Sequence, residues 1–410
     1  MSLEFRPILS TLMRHKIAAT LIVLEIALSC AIVCNALFLI GERLDRMNMP
    51  SGIAENELVR IRAASLRQLS GDDALNSAIT REYLDVLRKV PGVKQAGIAN
   101  QIPFGGSSNN SGVRLGADQQ HNTLNATVYL DEGNLLETFG LRLVSGRDFT
   151  ADEYQDMAVL AKSGEQARIP GAIVNRSMAE KMFAGQNPLG KVFYSWGESP
   201  IAVIGVIEDL ARPNSIGDGP YAMIFALRDY GAGLHYILRT EPGRRAEVLK
   251  AAVAALKKAD PNTLVVNNDT FDEIRAEHFQ QDRSMAWMLV VVIAALMLVT
   301  ALGIVGLASF WVQQRTKQIG VRRALGATRG QILRYFQAEN FLLASAGIVL
   351  GMLMAYGINQ LLMAKYELPR LPLFYLPIGA VALWLLGQIA VYWPARKAAS
   401  VPPAIATRSV

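Results

Sequence analysis

Only two cysteines, Cys30 and Cys34, and four histidines occur among the 410 residues. The cysteines stand four apart inside one apolar run, on one face of a helix. That placement excludes a disulfide-framed domain, and nothing else in the chain can form a thiolate metal site. His15, His121, His235 and His278 are far apart and never take the H-E-x-x-H spacing of a zinc protease. No G-x-S-x-G elbow offers a nucleophilic serine. Gly185–Lys191 has G-x-x-x-x-G-K spacing, but Val192 follows where a phosphate loop needs the Ser or Thr that holds Mg²⁺. The residues before it, 177–183, read as a helix rather than the buried strand that leads into such a loop. No other glycine loop is followed by Lys-Ser/Thr. Without a catalytic constellation, a metal set or a cofactor loop, the chain is expected to be no enzyme and to bind no cofactor itself.

What the sequence has in quantity is apolar length. Hydrophobic residues make up 51% and mean hydropathy is +0.23. The net charge of +6 could suggest nucleic acid, but the basic residues cluster beside apolar runs, a mark of membrane topology. Four runs, 17–40, 288–312, 341–363 and 376–392, approach or exceed the roughly 20 residues needed to span a hydrocarbon core about 30 Å thick. The first is longer than a signal-peptide core and lacks an A-x-A site, so it reads as a retained helix. Between the second and third runs, residues 313–336 carry Arg315, Lys317, Arg322, Arg323, Arg329 and Arg334 and no acid. Such loops stay on the cytoplasmic side.

The expectation is an α-helical membrane protein with four transmembrane helices and a large α+β extracytoplasmic domain inserted between helices 1 and 2. In order, the segments are a cytoplasmic stretch 1–16, helix 17–40, outer domain 41–286, helix 287–312, basic loop 313–336, helix 337–364, short outer loop 365–373 near Glu367, helix 374–393 and cytoplasmic tail 394–410. In the outer domain, Ser70 with Asp73 resembles a capping box. Tyr83, Val86, Leu87 and Val90 form a helical stripe that Pro91-Gly92 stops. Short apolar runs at 93–98, 126–130, 172–174, 201–207, 222–227 and 236–238 read as strands, and 244–259 as a second helix. Strands and helices without strict alternation indicate an α+β unit. Residues 104–112 read as a polar, glycine-rich loop.

Three features invite a functional reading. Glu25 lies mid-helix in the first run, where a charge is costly. It is either a substrate contact or polar lock facing the bundle interior, or a protonated or hydrogen-bonded packing residue; Asn35 reads as packing. Gly347, Gly351 and Ala355 make a small-residue face for close helix packing, within the chain or with another subunit. In the loop, Thr328 and Gln331 fit a capping box that starts the next helix. Before it, a short amphipathic helix carries Lys317, Ile319, Val321, Arg322, Arg323, Ala324 and Leu325, and Gly326 can end it. Periodicity leaves two uses open: anchoring on membrane lipids, or docking into a groove of a cytoplasmic partner.

Residues 315–329, RTKQIGVRRALGATR, resemble the R-T-x-E-I-G-x-R-x-A-L-G-A signature of the MacB/FtsX-like permeases of ABC transporters, departing at Gln318, where an acid is usual. The ending PARKAA at 394–399 resembles that family's P-A-R-x-A-A. SGRDF at 145–149, AIVN at 172–175 and NPLGK at 187–191 look like its periplasmic core domain. The resemblance implies a permease subunit in a bacterial inner membrane that couples a separate ATPase to its outer domain and drives efflux of an antibiotic, peptide or lipophilic metabolite by mechanotransmission. It makes 317–326 the ATPase-coupling element, with ATP and Mg²⁺ bound by that partner. A second permease subunit is implied, with a periplasmic adaptor and an outer-membrane channel in a two-membrane cell. The alternative within the same chassis is an FtsX-like regulator acting on a cell-wall hydrolase or sensor. Nucleic acid is no partner.

Overall fold

The computed structural model describes residues 16–70, 72–163, 168–214, 219–230, 234–366, 370–400 and 402. His15 and the rest of 1–15, Gly71, Glu367 and most of the tail beyond 400 lie outside the described residues. The chain divides into two compact units, Met49–Gln280 and the remainder.

Helix α1 (Lys16–Met47) contains the first apolar run and continues past its charged end. The second unit then begins with β1 (Leu58–Ser65), α2 (Asp73–Arg88), β2 (Val93–Ala99), β3 (Asn110–Val113), β4 (Leu124–Leu130), α3 (Leu135–Phe139) and β5 (Leu143–Gly146). It continues with β6 (Gln155–Asp156), α4 (Met157–Ser163), β7 (Gly171–Asn175), α5 (Arg176–Phe183), β8 (Val192–Phe193), β9 (Ile201–Ile207), β10 (Ala222–Phe225) and β11 (Leu227–Arg228). It ends with β12 (His235–Thr240), α6 (Arg245–Ala259), β13 (Thr263–Thr270) and α7 (Phe271–His278).

These form a four-stranded antiparallel sheet in the order β13-β1-β12-β2 and a mixed sheet in the order β3-β4-β10-β7-β9-β5, with β8 on β9. The amphipathic helices α2 and α6 share the first sheet's core, where Ile61, Tyr83, Leu87, Leu238, Val248 and Leu256 are buried. In the second sheet the central strands β7 and β10 are buried throughout, as apolar runs covered on both faces are, whereas β3 and β5 at its ends carry exposed residues.

Three local expectations are corrected. Asp72, not Ser70, caps α2: its carboxylate accepts from the amides of Ala74 (2.9 Å) and Leu75 (3.3 Å), while Ser70 closes a 3-10 turn from Leu66. The carboxylate is one residue from the helix start and satisfies two end amides at once. Residues 104–112 are not simply a loop. Phe104 is buried at φ 62°, its ring against Phe271, His278 and Phe279, and Asn110 opens β3. The apolar run 222–227 is two strands, since Phe225 pairs with Leu130 and Leu227 with Gln155.

After the second unit come α8 (Gln280–Gln314), α9 (Thr316–Ala324), α10 (Arg329–Tyr366) and α11 (Tyr375–Ala399). α1, α8, α10 and α11 are long and apolar enough to cross a membrane. α11 stays helical through Pro394 because Ala395, Ala398 and Ala399 pack against Val312, Ile319 and Phe336. The free thiols of Cys30 and Cys34 are buried in the helical core, with Ile26, Leu343, Ile348 and Leu383. α8 is the exception. Only 11% of its most apolar stretch is buried, against 44% for α1.

Candidate functional site

Arg315, at φ −102° and ψ 12°, is the single non-helical residue between α8 and α9. Beyond α9, Gly326 takes φ +97°, a conformation open to glycine, and the amides of Gly326 and Ala327 close onto Arg323 O and Arg322 O. Thr328 and Gln331 then cap each other reciprocally, at 2.8 and 3.3 Å, and start α10. The result is a nine-residue helix set off from α8 by one non-helical residue and from α10 by the Gly326 turn.

Its two faces differ. Ile319 and Gly320 are buried, Ile319 with Val312, Ile332, Phe336 and Ala395. Lys317, Gln318, Val321, Arg322, Ala324 and Leu325 are exposed, Leu325 at 83%. Lys317, Val321 and Leu325 fall at i, i+4, i+8, one stripe of the outer face. The Arg322 guanidinium lies 5.0 Å from the Tyr335 ring centre, which orients it. Arg323 turns inward and donates to Ala399 O at 2.8 Å, at the end of α11. The residues singled out in the loop therefore divide. Lys317, Val321, Arg322, Ala324, Leu325 and Gly326 face outward, whereas Ile319 and Arg323 hold the helix from behind.

A residue not singled out in the sequence joins them. Nη1 of Arg315 donates to both carboxylate oxygens of Glu339 on α10 at 3.0 Å, with side chains 9% and 2% exposed. Glu339 lies at the start of an otherwise apolar segment. A lone acid there, close in sequence to a run of arginines, is the signal that could have found it.

Glu25 faces α8: a Cβ on Gly303 would stand 2.6 Å from its carboxylate oxygens. One turn along, Ser29 and Thr300 hydroxyls share a hydrogen bond of 2.8 Å. Gly347 and Gly351 face α1, where added Cβ atoms would stand 2.8 Å from Ile26 Cβ and 2.6 Å from Ala27 O. Asn35 Nδ2 donates to Ala355 O at 3.2 Å, so the small-residue face is covered from within the chain. Gly185–Lys191 is a turn. The amides of Leu189, Gly190 and Lys191 donate to Asn187 Oδ1, Val203 O and Pro188 O, and Lys191 pairs with Gln186. Those amides are spent, so the segment does not fit a phosphate.

Within the second unit, Arg275 of α7 donates to Glu55 Oε1 (2.7 Å) and Met49 O (2.6 Å) and lies over the Phe104 ring. It ties the unit's first residues to its last. In the helical unit, Arg43 of α1 pairs with Asp282 of α8.

The model of the MacB-like periplasmic core domain matches residues 19–256, and that of the FtsX-like permease C-terminal matches 290–403. The chain is 24% identical to the uncharacterized ABC transporter permease YknZ of Bacillus subtilis (strain 168), over 99% of this chain and 98% of that one. It is 25% identical to the macrolide export ATP-binding/permease protein MacB of Neisseria gonorrhoeae (strain FA 1090), over 76% of this chain and 47% of that one. It thus spans about half the length of such MacB relatives. Among solved structures, the extracellular domain of YknZ from Gram-positive bacteria matches with a TM-score of 0.32 at 20% identity, covering 51% of this chain and all of that one. The two family models between them take in most of the chain, and it belongs to the ABC-transporter permeases built from a MacB-like periplasmic core domain and an FtsX-like C-terminal membrane domain.

Proposed function

We propose that this chain is the transmembrane subunit through which a cytoplasmic ATPase moves an outer domain, with α9 as the docking helix. One observation carries the reading: α9 is fixed from behind by Arg315, Ile319 and Arg323, yet bares Val321 and Leu325 beside Lys317 and Arg322. A helix anchored along one face with apolar residues on the other suits a groove in a partner. Residues 313–328 would lie in the cytoplasm and 49–280 outside, as the positive-inside rule directs. α8 continues directly from the outer domain and would carry displacement to it. A second permease subunit, and an adaptor and outer channel in a two-membrane cell, complete the reading. The cargo would be an antibiotic, peptide or lipophilic metabolite. ATP and Mg²⁺ belong to the ATPase.

The test replaces Val321 and Leu325 by Asp and measures recovery of the ATPase that co-purifies with the unaltered chain from native membranes. Recovery should fall at least tenfold, with unchanged yield and melting temperature of the permease. Undiminished recovery would overturn the docking assignment, as would an unaltered chain that brings down no ATPase.

A further inference from the structure

We infer that the Arg315–Glu339 pair is the pivot of α9, a buried ionic joint about which the docking helix turns while staying attached to α8 and α10. The inference rests on the docking reading and adds a positioning role to two residues outside the docking face.

The joint sits where a pivot is needed. Arg315 alone breaks the helical path from α8 into α9, so a change in tilt between them needs backbone adjustment at one residue only. Its side chain crosses to α10, and 24 residues separate the partners. Both side chains are buried, at 9% and 2% exposure. Drawing a buried pair apart would strand two charges away from water, which is far costlier than rotating one against the other. Separation is therefore resisted and rotation is not.

The geometry leaves room for rotation. A guanidinium can meet a carboxylate as a fork on a fork, with two nitrogens each serving one oxygen. Here Nη1 serves both oxygens at 3.0 Å, and Nη2 is buried with no hydrogen-bond partner among the described residues. One turn back, Trp311 Nε1 is also buried with no hydrogen-bond partner among the described residues, and the guanidinium lies 5.7 Å from the Trp311 ring centre. Turning the guanidinium in its plane would bring Nη2 onto the carboxylate in place of the shared Nη1 contact. At the opposite end of α9, the half-buried Arg323 donates to a backbone carbonyl, Ala399 O, at the end of α11. A load on Val321 and Leu325 would lift the Arg323 end while the Arg315 end turns in place.

The experiment uses the full chain in lipid nanodiscs with its co-purifying ATPase, and reads three quantities: ATPase recovery, melting temperature, and the rate of ATP hydrolysis of the complex relative to the ATPase alone. Arg315→Lys keeps the charge and removes the planar fork. It should leave recovery within twofold and melting nearly unchanged, yet cut the permease-dependent change in hydrolysis at least fivefold. Arg315→Gln and Glu339→Gln should each lose more, and the reversed pair R315E/E339R should recover more than either single change. Full hydrolytic response in Arg315→Lys would overturn the pivot. So would losses that follow melting temperature through the whole series, which would make the pair merely structural. Failure of recovery in the unaltered chain would instead sink the docking reading.

Discussion

His235 opens β12 opposite Arg62 of β1, and its Nδ1 is buried with no hydrogen-bond partner among the described residues. Burial, reinforced by the charges of Arg60 and Arg62, pushes its pKa down to about 3 from an ordinary 6.5. Between those values the unfolded chain binds a proton that the folded one refuses. The stabilising contribution is therefore whole above pH 6.5 and drains away as pH falls toward 3. The protection factors of amides in β1 and β12, corrected for the intrinsic slowing of exchange in acid, should fall over that window, and His235→Leu should flatten the dependence; hydrogen exchange of the full chain across pH checks both. Asp260 follows the same sign lower down. Burial alone would raise its pKa, but hydrogen bonds from Ser65, the Asn262 amide, Arg67 and Tyr83 outweigh that and hold it at about 2. Asp260→Asn should cost about 1–3 kcal/mol, seen as a lower melting temperature of the second unit. Neither residue stood out in the sequence, because their surroundings are assembled from far away: Ser65 is 195 positions from Asp260 and Tyr83 is 177.

Helices were the legible elements. Period-3.6 stripes and long apolar runs survive in sequence because each helix makes its own hydrogen bonds. Strands were legible where apolar residues ran together, as at 201–207, and hidden where they did not. β1, LVRIRAAS, interleaves arginines because buried Arg60 pairs with Asp269 on β13, a partner more than two hundred positions away. The face built on Gly347 and Gly351 could be read as close packing, but only the folded chain identifies α1 as the surface it meets. Gly351→Leu would drive side-chain atoms into the Ala27 carbonyl and Cys30. It should destabilise the helical unit by about 2 kcal/mol, lowering its melting temperature in detergent. Gly357→Ala on the same helix, where an added Cβ meets nothing within 4 Å, should cost nothing. Helix α9 itself was legible as amphipathic. Which residues anchor it was not, because Arg323 and Ile319 look like Arg322 and Val321 until α11 is in place behind them.

At the scale of the molecule, charge and apolar length carry the expected topology. Single cysteines at the exposed positions Gln318 and Asp118, in a chain with Cys30 and Cys34 changed to alanine, should report opposite sides. A membrane-impermeant maleimide should label Asp118→Cys in intact spheroplasts and Gln318→Cys only after lysis. Labelling of both from one side would refute the topology. What sequence could not convey is how unevenly the four long helices are gripped. α1 is wedged among its neighbours, whereas α8 is pinned near one end through Asp282 to Arg43 and at the other by Arg315, with little of its length buried between. Sliding a helix embedded on all sides means lifting side-chain ridges out of grooves. α8 has few grooves to leave. Within its own chain, then, most of the length of α8 could shift with few packed ridges to lift, and the resistance would be concentrated at its two ion-paired ends.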